Sequence, residues 1–214
     1  MRLRYKPNAK EELQENPLII QNPQDFKGRW REVFGNDKPI ELEIGSGKGD
    51  FIRQMSINNK DKNFLALEMS LKALVLAARI FDSEENDNLR GLLGDAEDLE
   101  EIFKKGEISK IYLNFSTPWP KRKHHKRRLS HKDFLDRYKK IARPGAILEL
   151  KTDNREFFDD TLKYFEENEL IILKKDYDLS EEASGVLTEY ERKFRKQGLP
   201  IYFVRAQISP EEGE

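Results

Sequence analysis

The stretch LEIGSGKGD, Leu42 to Asp50, sets an acid, Glu43, just ahead of glycines at 45, 47 and 49, between a short apolar run and a segment of helical periodicity. Glycine permits a sharp turn and lets a ligand approach the backbone closely, while a helix start presents unpaired N–H groups. Three nucleotide chemistries compete for such a loop. A phosphate-cradling P-loop needs glycine at position 42 and serine or threonine at 49, where this chain has Leu42 and Gly49. A dinucleotide fingerprint needs glycine at position 50, where the chain has Asp50. What remains is an acid followed by G-x-G-x-G, which suits a nucleoside without phosphates, or else a plain tight turn.

Two more acids close the next apolar runs. Glu68 ends the run NFLALE, about 20 residues beyond the glycines, where an acid can accept both hydroxyls of a ribose. Its alternative is a solvated surface position. Gly94, Asp95 and Ala96 follow the third run. Asp95 can accept from the exocyclic amine of an adenine, or cap a helix beginning at Glu97. Acids and glycines at three successive run ends together describe an adenosine with no phosphate chain.

The fourth run ends differently, in IYLNFSTPWPKRKHHKRR, Ile111 to Arg128. A proline-bracketed turn is followed by Lys121, Arg122, Lys123, Lys126, Arg127 and Arg128 with His124 and His125 among them. Charge of this kind can hold a phosphate backbone at a crevice mouth, positioning a strand without reading it. A solvated basic loop is the alternative. The adjacent histidines lack a third ligand, so no metal site is expected. Trp119, between Pro118 and Pro120, either flanks a base or fills the core.

These residues need a scaffold, and the pattern supplies one. Short apolar runs at 39–44, 63–68, 88–93, 110–115 and 146–151 alternate with amphipathic segments such as Leu71, Leu74, Val75, Ala78 and Phe157, Phe158, Thr161, Leu162, Phe165. Alternation of this kind predicts a parallel sheet covered on both faces, with its ligand crevice beyond the carboxyl ends of the strands. Two late runs, 170–175 and 201–208, have no helix of comparable length between them and form a final pair containing one antiparallel strand.

The chain has 214 residues, 39 Lys plus Arg against 40 Asp plus Glu, and a net charge of -1, so only the local placement of charge carries information. The expected organisation is a single domain over 1–214. Its first 36 residues read as a basic extension, whose opening stretch with Arg2, Arg4, Lys6 and Lys10 either is mobile alone and orders on RNA or is a disordered tail with no role, and the acidic end SPEEGE frays. The absence of cysteine excludes disulfides, thiolate metal sites and a cysteine nucleophile. No apolar run approaches the ~18 residues of a spanning helix, and the start lacks the apolar middle of a secretory signal. A cytoplasmic protein with no membrane contact is expected, as monomer or homodimer.

With these motifs in order, the chain resembles the class I S-adenosylmethionine-dependent methyltransferases. LNFSTPWPKRKHHKRRL, KTDN at 151–154 and TEYERKFRKQGLPIY at 188–202 narrow the resemblance to the bacterial tRNA (guanine-N7-)-methyltransferases. The resemblance implies a doubly wound, Rossmann-like, seven-stranded, mostly parallel sheet in the order 3-2-1-4-5-7-6, with one antiparallel strand. It implies that S-adenosylmethionine is the methyl donor, leaving as S-adenosylhomocysteine without any metal, and that N7 of a guanosine in the variable loop of tRNA is the acceptor. Donor-binding positions carried over are Glu43, Gly45, Ser46, Gly47, Glu68, Asp95, Ala96, Asn114 and Thr117. Positions touching the RNA are Lys121, Asp153, Thr188, Glu189, Tyr190 and Glu191. Thr188 and Glu191 also have the spacing of a helix capping box.

One departure stands out. The family pattern is N-F-S-D-P-W-P, and its Asp carries the catalytic role; this chain has Thr117 there. Guanine N7 already exposes an in-plane lone pair, so no base is needed to create the nucleophile, and alignment alone can contribute ~7 to 11 kcal/mol. A threonine brings no charge, so the expectation is reduced or differently supported turnover, with Asp153 the nearest candidate for a compensating carboxylate. The alternative is an RNA-binding, methyltransferase-like protein with weak or no catalysis. A nicotinamide oxidoreductase is disfavoured by the missing third glycine, and a DNA base methyltransferase by the lack of length for a target-recognition domain.

Overall fold

The structure is a computed structural model that describes residues 9–208. Arg2, Arg4, Lys6, the side chain of Lys10 and the acidic segment 209–214 lie outside the described residues. Among the described residues there are eight strands: β1 (Ile19–Ile20), β2 (Ile40–Ile44), β3 (Asn63–Glu68), β4 (Leu89–Leu93), β5 (Ile108–Asn114), β6 (Ala142–Thr152), β7 (Ile171–Asp176) and β8 (Tyr202–Gln207). The helices are α1 (Ala9–Glu15), α2 (Trp30–Phe34), α3 (Asp50–Asn58), α4 (Leu71–Ala78), α5 (Leu99–Ile102), α6 (Lys132–Ile141), α7 (Arg155–Glu167), α8 (Glu181–Ser184) and α9 (Glu189–Lys196).

The strands form one sheet in the order β1-β4-β3-β2-β5-β6-β8-β7. Only β8 runs against its neighbours, pairing antiparallel with both β6 and β7. Without β1 this is the expected order, so the doubly wound α/β fold and its late antiparallel strand stand. The addition comes from the segment read as an extension. Ile19 and Ile20 pair in parallel with Gly91 and Leu92, while Leu13, Leu18 and Trp30 are buried. From residue 9 onward that segment is packed rather than mobile, because three isolated apolar positions in a polar stretch find a sheet edge and a helix groove to fill.

Two cores sandwich the sheet. On one face α2, α5, α6 and α7 cover Ile40, Leu42, Ile44, Ile111 and Leu148. On the other, α1, α3 and α4 cover Phe64, Ala66 and Tyr112. The helices follow their sequences: α7 buries Phe157, Phe158, Thr161, Leu162 and Phe165 along one stripe, and its first turn is capped by Asn154, whose side chain accepts from Phe157 N at 2.8 Å. Alternation in β2 sends Glu41 and Glu43 to the face opposite Leu42, yet both are buried. Glu41 is matched there by Lys62 at 3.0 Å and by the Tyr112 hydroxyl. Glu43 is at the carboxyl end of the strand, where sheet order reverses between β2 and β5 and a crevice must open.

Gly49 controls how closely α3 begins to α4. Its φ is +76°, and a Cβ there would lie 2.6 Å from the Phe81 ring and 3.0 Å from the Ala77 Cβ. Gly49→Ala therefore combines a left-handed backbone penalty of ~1 to 2 kcal/mol with overpacking of ~1 to 3 kcal/mol. Urea denaturation should show a loss of at least ~2 kcal/mol in unfolding free energy; an unchanged midpoint would mean that α3 shifts freely.

Candidate active site

The carboxyl ends of β2, β3, β4 and β5 open onto one cleft of about 780 Å3, within the ~300 to 1,000 Å3 of ligand-binding sites. Its floor is the turn from β2 into α3, where Gly45 and Gly47 have φ of +75° and +58°, a region costly for residues bearing a Cβ. This loop is tied down. Gly45 N and Ser46 N donate to the Leu67 carbonyl at 2.9 and 3.1 Å. The Glu68 carboxylate accepts from Gly47 N at 2.8 Å and, through its other oxygen, from Ser70 N at 2.7 Å. Glu68 thus joins the glycine loop to the start of α4 while still lining the cleft.

Glu43 lies beneath. It is 3 % exposed, and one carboxyl oxygen accepts from Asn114 Nδ2 at 2.9 Å. The other is buried, and among the described residues no donor reaches it. Burial pushes the Glu43 carboxyl up to about 8; the Asn114 bond opposes this, nearby Glu68 adds to it, and Lys151 opposes it. Ser46 Oγ and Ser116 Oγ, also cleft residues, are likewise buried without partners. Buried polar atoms are almost always satisfied in native proteins. Such a cluster in one cleft therefore marks where a polar ligand belongs.

Asp95 is at the end of β4, where its side chain accepts from Glu97 N at 3.0 Å and caps the following helical turn. The capping role is thus present, and the residue also lines the cleft beside Ala96. Past β5 the chain turns through Phe115 and Trp119, whose φ values are +51° and +41°. Positive φ in bulky residues is uncommon and concentrates at functional turns. Phe115 N is held by the Lys151 carbonyl at 2.8 Å, and its ring stacks near Tyr190 at 6.4 Å.

The last wall is α9. Thr188 caps it by accepting from Glu191 N at 2.9 Å. Glu191 itself points inward and is fully buried, bonded to Lys151 Nζ at 3.0 Å and Arg195 Nη2 at 2.6 Å. Burial favours a neutral Glu191, but Lys151, Ser184 and Arg195 outweigh it and hold the carboxyl below its ordinary range. At the exposed tip of the helix, Glu189 meets Lys48 of the glycine loop at 2.8 Å, and Arg192 pairs with Asp50. Two ion pairs thus bridge α9 to the glycine loop.

Residues 37–204 match a family model described as "Putative methyltransferase". A tRNA (guanine-N(7)-)-methyltransferase of Listeria monocytogenes serotype 4b (strain F2365) is 46% identical over 97% of this chain and 99% of its own length. The protein of the same name from Bacillus subtilis (strain 168) is 43% identical over 97% of this chain and 98% of its own. The chain belongs to the tRNA (guanine-N7-)-methyltransferase family. Among solved structures, the 16S rRNA methyltransferase KamB superposes with a TM-score of 0.66 over 86% of this chain and 94% of that one, at 16% identity, a likeness of fold.

The cleft gathers the family's motifs unevenly. Glu43, Gly45, Ser46, Gly47, Glu68, Asp95, Ala96, Asn114 and Thr117 all line it, as do Thr188, Glu189 and Tyr190. Lys121 lies outside, in a smaller pocket beside Trp119. Asp153 is half-buried and outside the lining, so the carboxylates that share the cleft with Thr117 are others, Glu189 among them. Glu191 faces the interior. The lining also includes residues that the sequence reading did not assign, Lys48, Phe115 and Ser116, and of the basic run it includes Arg127. Ser116 was within reach of that reading, since it lies inside the quoted turn.

The basic run divides in two. Residues 121–123, 126 and 127 are exposed, five of them on or next to the short helix Arg122–Arg127. Arg128 is 1 % exposed and does a different job: its guanidinium donates to the Pro118 carbonyl at 2.7 Å and to Asp160 at 2.7 Å, against the Phe157 ring. Arg128 does not belong with the exposed cations of the run; a partly buried carboxylate on α7 claims it as a strut for the turn. Arg128→Ala removes the nearer cation from Asp160, which keeps Lys163 at 3.6 Å, and should lower stability by ~1.5 to 3 kcal/mol, seen in thermal melts. The paired change Lys123→Ala, Lys126→Ala should leave the melt in place and flatten the salt dependence of RNA binding. Equal melts for both proteins would contradict the division.

Glu43 has a signature of its own. Its folded pKa of about 8 lies above the ordinary carboxyl value of 4.5 that holds in the unfolded chain, so between these values only the unfolded state gives up its proton. Stability of the ligand-free protein therefore falls as pH rises through that window and is fully reduced above it. Glu43→Gln removes the titration: the variant should match wild type near pH 4 and exceed it by a few kcal/mol at pH 9. Parallel stability curves across that range would show that Glu43 is ionised throughout.

Proposed function

We propose that this protein transfers a methyl group from S-adenosylmethionine to N7 of a guanosine in the variable loop of tRNA. One observation carries the reading: a single cleft runs from the pinned glycine loop and the unsatisfied Glu43 carboxyl to the Phe115–Trp119 turn, and opens beside an exposed basic helix. Its depths are acidic and its rim is basic, which matches a cationic cofactor inside and a polyanionic strand outside.

The residues present fit the cofactor. S-adenosylmethionine, when bound, supplies an electrophilic methyl carried on a sulfonium. Glu43, Glu68 and Asp95 would hold its polar groups, with Ser46 and the glycine-loop amides against its backbone-facing side. Glu43 would shed its proton on meeting a positively charged ligand, so donor affinity rises with pH toward 8. On the acceptor side Asn114, Ser116 and Thr117 present amide and hydroxyl groups along one turn, and Tyr190 offers an exposed ring across the cleft. Hydrogen bonds from this turn would orient the purine edge so that the N7 lone pair aligns with the methyl carbon. Alignment supplies most of the acceleration, and no residue has to remove a proton to create the nucleophile.

The methylated purine becomes cationic, and here Thr117 matters. It is exposed at the cleft and brings no compensating charge. Glu189, which shares the lining, is already paired with Lys48. A carboxylate at 117 would add about 1 kcal/mol at this partly solvated position, roughly fivefold in rate.

The deciding experiment is methyl transfer from labelled donor to bulk tRNA, followed by borohydride and aniline cleavage at N7-methylguanosine. Incorporation with strand scission in the variable loop is expected. Donor binding without any transfer would leave the alternative, an RNA-binding relative that has lost its chemistry. In the same assay Thr117→Asp should raise kcat roughly fivefold with donor affinity held, and identical kcat values would show that the missing carboxylate is irrelevant to turnover.

A further inference from the structure

A second pocket, of about 270 Å3, lies on the far side of the Trp119 turn and is lined by Trp119, Pro120, Lys121 and His124. Trp119 is the one residue it shares with the large cleft, so the indole is the partition between them. The neighbours of the indole divide accordingly. Arg127, with its guanidinium carbon 5.1 Å from the ring centroid, lines the large cleft and not the small pocket. His124, whose ring is 5.7 Å away and 17° from parallel, lines the small pocket and not the large cleft. Main-chain constraints fix this wall: Trp119 has φ +41° between two prolines, and the buried Arg128 holds the Pro118 carbonyl from behind.

The chemistry of the pocket is the reverse of the cleft's. It offers an indole, an imidazole and a lysine, with no carboxylate in its lining, and Arg122 and Lys123 are exposed next to it. A ring stacked on aromatic surface, with an anion attached, satisfies all of these at once. The volume is below that of sites enclosing whole ligands, ~300 to 1,000 Å3, so one heterocycle enters with its sugar outside.

We infer that this pocket is a second base-binding subsite for the RNA: the strand straddles Trp119, the target purine on the cleft side and the base of an adjacent nucleotide against His124. Arg127 on one side and Lys121 on the other receive the phosphate that links the two. The subsite rests on the tRNA reading above and deepens it. Base stacking is tolerant of sequence, so the subsite sets the register and orientation of the strand, while the cleft chooses the purine.

The test uses the full chain with His124→Ala and His124→Phe, a short single-stranded oligoribonucleotide containing one guanosine, and whole tRNA. His124→Ala should raise KM for both RNAs roughly fivefold to a hundredfold, the range of stacking losses seen on alanine substitution, with kcat held. His124→Phe keeps a ring and should restore KM. An unchanged KM in His124→Ala overturns the subsite, and so does a loss in His124→Phe equal to that in His124→Ala, which would make His124 a charge contact. Tryptophan emission gives a second measurement on unaltered protein, since Trp30 is fully buried and Trp119 is the accessible indole. The oligoribonucleotide should shield Trp119 from iodide, and continued quenching overturns the proposal. Wild type that transfers no methyl group to tRNA overturns the reading beneath it and this one with it; transfer with a normal His124→Ala overturns the subsite alone.

Discussion

Burying the Glu43 carboxyl where sheet order reverses, with one oxygen bonded to Asn114 and the other to nothing, is a cost that the folded chain bears in its ligand-free form. The surrounding structure is arranged so that the cost is not relieved internally. Lys151, the nearest cation to influence it, is committed to Glu191 and Ser184 on the α8–α9 side, and the glycine-loop amide that might have turned inward is claimed by Glu68. A preorganised site requires this: polar atoms held in place by other bonds, with lone pairs unused until a ligand arrives.

The far wall shows the same separation of strong from weak contacts. One side of the first turn of α9 is fixed by Glu191, fully buried and shared between Lys151 and Arg195. Removing one partner of such a buried pair costs several kcal/mol. The other side of the same turn is joined to the glycine loop by Lys48–Glu189 and Arg192–Asp50, both substantially exposed. Exposed pairs contribute about 0 to 1 kcal/mol each. The turn is therefore anchored on its inward side and lightly held on the side toward the glycine loop, and Thr188 caps it.

How far the sequence revealed this depends on whether the determinant was local. The glycine loop, Glu68 and Asp95 were legible because each ends a short apolar run, and strand ends in a doubly wound sheet converge on one crevice. The capping spacing of Thr188 and Glu191 was legible because a cap and the residue three positions on are fixed by local sequence alone. Arg128 was not, because composition cannot tell a cation aimed at solvent from one aimed at Asp160 and the Pro118 carbonyl, both fixed only by the tertiary fold. β1 escaped notice because two paired residues have no periodicity; only the adjacent edge of β4, with Gly91 leaving room for Ile19, makes Ile19 and Ile20 a strand. Glu191 was carried over as an RNA contact with the rest of its motif by resemblance, and α9 turns that side chain inward.

Charge also decides which part of an RNA can enter. Besides the protonated Glu43, the cleft lining carries Asp50, Glu68, Asp95, Glu97 and Glu189 against Lys48 and Arg127, while the helix at its mouth carries Arg122, Lys123, Lys126 and Arg127 and no acid. Lys48 is spent on Glu189 and Arg127 lies over Trp119, at the partition rather than the floor. A phosphate moving inward leaves favourable potential for unfavourable within a few ångströms, in surroundings where such interactions are strengthened by reduced solvent. A neutral purine crosses the same boundary with only its desolvation to offset, and Phe115 and Tyr190 supply apolar surface on the way. On the proposed reading the phosphates stay on the basic helix and the base goes in, toward a lining that carries more acids than cations although no carboxylate stands at position 117. An acidic interior suited to a cationic donor would thus also keep the backbone of the acceptor out.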